Sequence, residues 1–309
     1  MRLCLGLLSL CFATLGACAA WAAPPRVVIV SSEHGGAYLE ASQALVAELA
    51  RSGVNGDDVL AMSAAEVSAS APLNPQLFVA LGAAAAKVLL DAKVHAPVLC
   101  ALLPRSSFER LLASRADKPA ASWSALYLDQ PWSRQIGLIG LALPNARRIA
   151  VLWGPESQQA APALRRLATA QGLELLETSA PSAESAFAGL HEALRGAGLL
   201  LAVPDAQLYN ASSIQHILLA SFRARVPMMA FSPAYVRAGA LLALYVTPTQ
   251  VGVQAGAVAF NVLRGQALPP PLYSRDFTVV VNEHVARSLG ISLDPAMLRL
   301  GLQQKEGQP

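Results

Sequence analysis

Short runs of apolar residues alternate along the chain with longer stretches in which apolar positions recur at helical spacing. RVVIV at 26–30 precedes a loop at 31–36 and a helix carrying Tyr38, Leu45, Val46 and Leu49 on one face. LFVALG at 77–82 precedes an Ala-rich helix at 83–90, and PVLCALL at 97–103 precedes a helical stretch at 108–112. Strands that are apolar at nearly every position belong to parallel sheets covered by helices on both faces. The segment SALYLDQPW at 124–132 breaks this rhythm: a strand, then Asp129 as a cap and Pro131 at the helix start. A second series follows. It runs as a helix at 134–143, a turn at Pro144-Asn145, the strand RIAVLW at 148–153 and a helix at 157–171. It continues with LELLE at 173–177, a helix at 184–194, LLLAV at 199–203, a helix at 210–225 and PMMAF at 227–231. Two α/β series joined near residue 129 argue for two lobes.

The last third is the most strongly punctuated part. PMMAF stops at a turn, Ser232-Pro233. The apolar run ALLALYV leads into Thr247-Pro248-Thr249-Gln250, a helix start in which Thr247 caps, Pro248 takes the first helical position and Gln250 completes a capping box. That helix puts Val251, Ala255, Val258, Ala259 and Val262 on one face, and Gly265 stops it. Pro269-Pro270-Pro271 is a stiff extended connector. FTVVV, Asn282 as a cap, a short helix and Gly290 as its stop close the pattern.

Composition adds the cellular setting. Residues 3–20 are almost wholly apolar behind Arg2, and Ala20-Trp21-Ala22 matches a signal-peptide cleavage site, so 1–22 is expected to be a leader. Leu15-Gly16-Ala17-Cys18 inside it resembles a bacterial lipobox, in which Cys18 is lipidated and becomes the first mature residue; both readings stand, beside that of an uncleaved anchor. The expected location is the periplasm, free or tethered through Cys18. Three of the four cysteines, Cys4, Cys11 and Cys18, lie in this leader, which leaves Cys100 in an apolar strand as a buried, inert thiol. A net charge of +3 over 309 residues, with no basic cluster beyond pairs such as Arg147-Arg148 and Arg165-Arg166, argues against a nucleic-acid partner.

In open parallel sheets, ligands bind beyond the carboxyl ends of the strands. That rule selects the loops at 31–36, 82–84, 104–107, 129–132, 153–156, 204–210 and 232–235, with Tyr245. The candidate ligand residues on them are His34, Gly35, Gly82, Ala83, Arg105, Trp153, Asp205, Ser232 and Tyr245. Trp153 offers a flat ring to stack. His34 and Gly35 precede a helix N-terminus that can receive a carboxylate. Arg105 offers a carboxylate fork. Each has a plainer reading: core packing for Trp153, turn geometry for the glycines, a solvated loop for Arg105, a helix cap or Asx turn for Asp205. The five histidines show no ligand spacing, so no metal is expected. Nucleophile-elbow, phosphate-loop and dinucleotide motifs are lacking, so neither an enzyme nor a cofactor is expected.

The order of units in the last third resembles the ABC transporter substrate-binding family of type 1 periplasmic binding proteins, whose better-known members take amino acids. The resemblance rests on Ser232, on 236–240, on the Gly-x-x-Ala-Gly of 252–256, on the Leu-x-Gly of 263–265, and on the Val-Val-Asn-x-x-x-Ala-x-x-Leu-Gly-Ile pattern at 280–291. It covers nearly the whole mature chain and is sharper after residue 125. It implies an α/β fold of two doubly wound parallel-sheet lobes, joined by three crossings near 128–130, 245–247 and 273–277. Lobe one would then be 24–128 plus 247–274, lobe two 129–246 plus 275–300, with 301–309 a tail. Asp129, Gln130 and Thr247 fall at the hinge. The family places an Asp where Asp205 stands, able to meet a ligand amino group. The implied partners are a small-molecule ligand and an ABC permease, with the chain expected to be a monomer. Two departures matter: Ala83 and Ala84 stand where many relatives carry a hydroxyl after Gly82, and Ala206 stands where they carry Asn after Asp205. They argue against a free amino acid as ligand. What stays open is a larger or more apolar solute, or a periplasmic sensory or protein-binding accessory without transport.

Overall fold

In a computed structural model the described residues are 24–69, 73–114, 119–180 and 183–307, leaving aside the side chains of residues 68, 183, 184 and 186. The expected leader, with Cys4, Cys11, Cys18 and both candidate processing sites, lies outside them. The first series folds as β1 (Val27–Ser31), α1 (Gly36–Arg51), β2 (Val59–Ser63), α2 (Ala64–Ala69), β3 (Leu77–Leu81), α3 (Ala83–Asp91), β4 (Val98–Leu103), α4 (Arg105–Ala113) and β5 (Trp123–Tyr127). The second begins with α5 (Trp132–Ala142), β6 (Arg148–Trp153), α6 (Ala161–Ala170), β7 (Glu174–Ser179) and α7 (Ala183–Leu194). It continues with β8 (Leu199–Leu201), α8 (Ile214–Arg223), β9 (Met228–Ala230), α9 (Pro233–Ala238) and β10 (Leu242–Tyr245). The chain ends with α10 (Pro248–Leu263), β11 (Leu272–Tyr273), β12 (Thr278–Val281), α11 (Glu283–Ser288) and α12 (Pro295–Glu306).

Two six-stranded sheets result, in the orders β11-β5-β4-β3-β1-β2 and β12-β10-β9-β8-β6-β7. All pairs are parallel except β10 with β12. Each sheet lies between two apolar layers. Val27 and Ile29 enter one layer of the first sheet while Val28 and Val30 enter the other, which is why β1 is apolar from Val27 to Val30. In the second sheet Ile149, Val151 and Trp153 share one layer, and Ala150 and Leu152 the opposite one. The chain passes between sheets after β5, after β10 and between β11 and β12.

The sequence pattern misses several features. β2 is an edge strand with mostly half-exposed positions, so no continuous apolar run marks it. The turn at Ser232-Pro233 opens α9, with Ser232 Oγ accepting from the Ala234 N–H at 3.2 Å. The helix expected at 157–171 is a 3-10 turn at Gln158–Ala160 followed by α6. Residues 301–306, expected as tail, are the last turns of α12, where Leu302 is buried against α5.

The Gly-x-x-Ala-Gly pattern of α10 has a packing reason. Gly252 and Gly256 let α10 lie directly on α1: a Cβ on Gly252 would collide with the Ala41 carbonyl oxygen and come within 2.8 Å of Ala44 Cβ, and one on Gly256 would sit 2.6 Å from Glu48 Cβ. Gly→Ala in an open helix interior ordinarily stabilises by about 1 kcal/mol. Here Gly252→Ala is expected to destabilise by roughly 1–3 kcal/mol through overpacking, read as a lower urea midpoint.

Candidate functional site: the cleft between the lobes

A cavity of about 210 Å³ opens between the lobes at the carboxyl ends of β4, β5, β6 and β8. Pro104, Arg105, Ser106 and Glu109 line it from the β4–α4 loop and the start of α4. Asp129 lines it from the first crossing and Tyr273 from β11. The other lobe contributes Trp132 and Gln135 of α5, Glu156, Ser157 and Gln159 after β6, and Val203 and Pro204 after β8. A long contact bridges the two sides, Arg110 to Glu156 Oε2 at 3.8 Å.

Of the ligand candidates read from the sequence, only Arg105 lines this cavity. Its Nε donates to Glu109 Oε1 at 2.7 Å, and its bond to the Tyr273 hydroxyl, then that to Glu109, holds the guanidinium above its ordinary range. Trp153 is buried in the core, edge-on to Trp132 at 6.5 Å, with Nε1 donating to Glu177 at 2.9 Å. Strand parity decides this, since Trp153 shares the inner layer with Ile149 and Val151. Asp205 is 3% exposed. Its Oδ2 accepts from the Glu156 and Ser157 N–H groups, both at 3.0 Å, and from Ser157 Oγ at 2.9 Å, while Oδ1 accepts from the Gln207 N–H at 3.1 Å. Its carboxylate therefore clamps two loops of its own lobe rather than facing a solute.

The remaining candidates lie away from the cavity. His34 is exposed, and Gly35 precedes α1 without a side-chain cap. Gly82, at φ +91°, leaves room for Ser32 and Tyr38; Ser32 Oγ accepts from the Ala85 N–H at 3.0 Å. The hydroxyl that Ala83 and Ala84 lack thus reaches the start of α3 from the neighbouring loop. Ser232 caps α9, and Tyr245 packs against the second lobe's outer layer.

At the crossings, Asp129 caps α4 rather than α5: its Oδ1 accepts from the Arg105 N–H at 2.7 Å, and α5 has no side-chain cap. Burial raises the Asp129 carboxyl above its ordinary range, against the lowering effect of the Arg105 N–H. Gln130 is buried, its Oε1 accepting from Arg134 Nη1 at 2.6 Å, its backbone carbonyl from Gln135 Nε2 at 2.9 Å. Thr247 makes the expected capping box, with Gln250 N–H to Thr247 Oγ1 at 3.1 Å and Thr247 N–H to Gln250 Oε1 at 2.9 Å. Among the described residues no group of His, Cys, Asp or Glu is arranged to hold a metal, and no helix is long and apolar enough to cross a membrane.

A family model, ABC transporter substrate binding protein, matches residues 49–305. The chain belongs to this family. The fold is that of type 1 periplasmic binding proteins. A ligand-free, open substrate-binding protein with adhesive properties from Clostridium difficile is 19% identical, with a TM-score of 0.70 over 87% of this chain and 95% of that one. A conserved domain protein from Vibrio cholerae is 20% identical, with a TM-score of 0.61 over 89% and 98%. An ABC domain from Streptococcus pneumonia, solved with L-Trp, is 18% identical, with a TM-score of 0.60 over 88% and 97%. At these identities the likeness bears on the fold. No curated protein matches the chain.

The sequence pattern selected the loops at 104–107, 129–132 and 153–156, but placed Trp132 only at the hinge and did not single out Glu156. Glu109 projects from the second turn of α4 and Gln135 from the first turn of α5, and Tyr273 arrives from a two-residue strand far along the chain. Only the helix-start position of Gln135 carried a signal.

Two outcomes follow from these two carboxylates. Asp205→Ala strands the Glu156 and Ser157 N–H groups and is expected to cost roughly 2–4 kcal/mol in urea unfolding. Asp129→Asn keeps an oxygen for the Arg105 N–H and removes the charge. The folded-state pKa of Asp129 is raised, so its contribution to stability is present at low pH and lost as pH rises through that raised value. The melting temperature of Asp129→Asn should therefore meet that of the parent near pH 4, about the unfolded value, and exceed it at pH 7.

Proposed function

We propose that this chain is the exported solute-binding component of an ABC importer, which captures a small molecule between its lobes and presents the closed form to a permease. One observation carries the reading: the carboxyl ends of the parallel strands of both sheets open onto one cavity whose charged and aromatic lining comes from both lobes. Such a lining is complete only when the lobes approach, so a solute bound there shifts the population toward closure. The crossings are built for limited movement. Gln130 Nε2 is buried without an acceptor among the described residues, at a cost of about 1–3 kcal/mol that a shift of the crossing can relieve. A periplasmic location follows from the leader read at 1–22, with Cys18 as the alternative tether and no membrane contact otherwise. The charged lining favours solute capture over an accessory role, and a monomer suffices because one chain supplies both walls.

A thermal-shift screen of small polar and aromatic solutes tests this. A solute at 100 times its Kd should add about 2.7 kcal/mol of stability, and small-angle scattering should show a smaller radius of gyration with that solute bound. A chain that no solute stabilises or compacts would sink the proposal.

A further inference from the structure

We propose that the solute is a small organic amine, bound as its cation and carrying no carboxylate of its own. The inference rests on the reading of the cleft as a solute site and specifies that solute's chemistry.

The cavity is lined by one basic side chain, Arg105, and three carboxylates, Glu109, Asp129 and Glu156. Arg105 is not a free anion receptor. Its charge is already paired, with Nε donating to Glu109 Oε1 at 2.7 Å. That leaves Asp129 and Glu156. Asp129 Oδ1 accepts from the Arg105 N–H, with the Arg105 charge, itself paired to Glu109, as its nearby cation. Glu156 Oε2 has a long bond from the Ala206 N–H at 3.4 Å and the distant Arg110 at 3.8 Å. A solute carboxylate would meet two weakly compensated negative charges and no unpaired cation. A solute ammonium would meet attraction where a half-closed, low-dielectric cavity strengthens it.

A second, independent observation points the same way. Gln135 is 8% exposed and lines the cavity. Its Nε2 is committed to the Gln130 carbonyl at 2.9 Å, and its Oε1 receives no hydrogen bond among the described residues. An acceptor on the cavity wall suits a hydrogen-bond donor carried by the solute. Trp132 and Tyr273 add aromatic surface, which attracts a cation by its ring faces, while Val203 and Pro204 suit an apolar body. The cavity volume of about 210 Å³ lies below the ~300–1,000 Å³ usual for drug-sized ligands, which sets a small solute.

Calorimetric titration of the leaderless chain with phenethylamine, phenylalanine and 3-phenylpropionate, beside agmatine and arginine, tests the inference. The amines should bind at least tenfold tighter than their carboxylate-bearing counterparts. Glu156→Gln should weaken amine binding by tenfold or more, and so should Asp129→Asn, which removes a charge without removing the oxygen that Arg105 N–H needs. Circular dichroism of each variant checks that it is folded. Tighter binding of the acids or amino acids, binding only of neutral solutes from the wider screen, or amine affinity unchanged in both variants would overturn the amine assignment and leave solute capture standing. Failure of every solute in both experiments would remove both.

Discussion

A single buried guanidinium holds the junction of the two lobes. Arg134, 6% exposed at the start of α5, gives its N–H groups to four oxygens: Gln130 Oε1 at 2.6 Å, the Ser274 carbonyl at 3.0 Å, and Glu306 Oε1 and Oε2 at 2.6 and 3.1 Å. Its Cζ also lies 4.3 Å from the centre of the Phe277 ring. Removing a charge from water is expensive unless every donor is met, and here donors are met by the first crossing, the third crossing and the last helix. Charge and geometry therefore fix where the chain may pass between lobes.

From this point the rest of the hinge follows. Ser274 Oγ donates to Gln254 Oε1 of α10 at 2.9 Å, and the Arg275 N–H reaches the same oxygen at 3.0 Å. Gln250 Oε1 serves both Thr247 of the second crossing and Thr278 of β12. Three strands of chain are thus tied through amide side chains, which are short enough to set spacing and soft enough to re-pair. α12 matters for the same reason: it delivers Glu306 to Arg134 while Leu298 and Leu302 seal the layer beneath.

The cleft sits against this junction, and its chemistry depends on what the junction has already used. Gln135 spends its amide nitrogen on Gln130 and keeps an oxygen free; Asp129 spends one oxygen on α4. Asp205, by contrast, spends its carboxylate on its own loops, which makes it a structural clamp where the family resemblance implied a solute contact.

The chain's local pattern was sufficient for the α/β alternation, for the fully apolar strands buried in parallel sheets and for the Thr247 to Gln250 capping box, because each is set by near neighbours. Asn282 announced a helix start for the same reason, whereas Ser232-Pro233 was legible only as a turn and opens α9. It did not mark β2 or α12, whose half-exposed faces lack a continuous apolar run. Nor did it separate cap from contact at Asp129 and Asp205, or show that Trp153 faces inward. Those outcomes depend on which distant N–H, ring or carboxylate the fold brings alongside. Tyr273 and Arg105 meet across 168 residues of sequence, and Arg134 and Glu306 across 172. Composition and periodicity carry the architecture, since burial acts on every residue by its kind. The site is decided only by tertiary structure, since a side chain's chemistry depends on the partners already claiming its polar atoms.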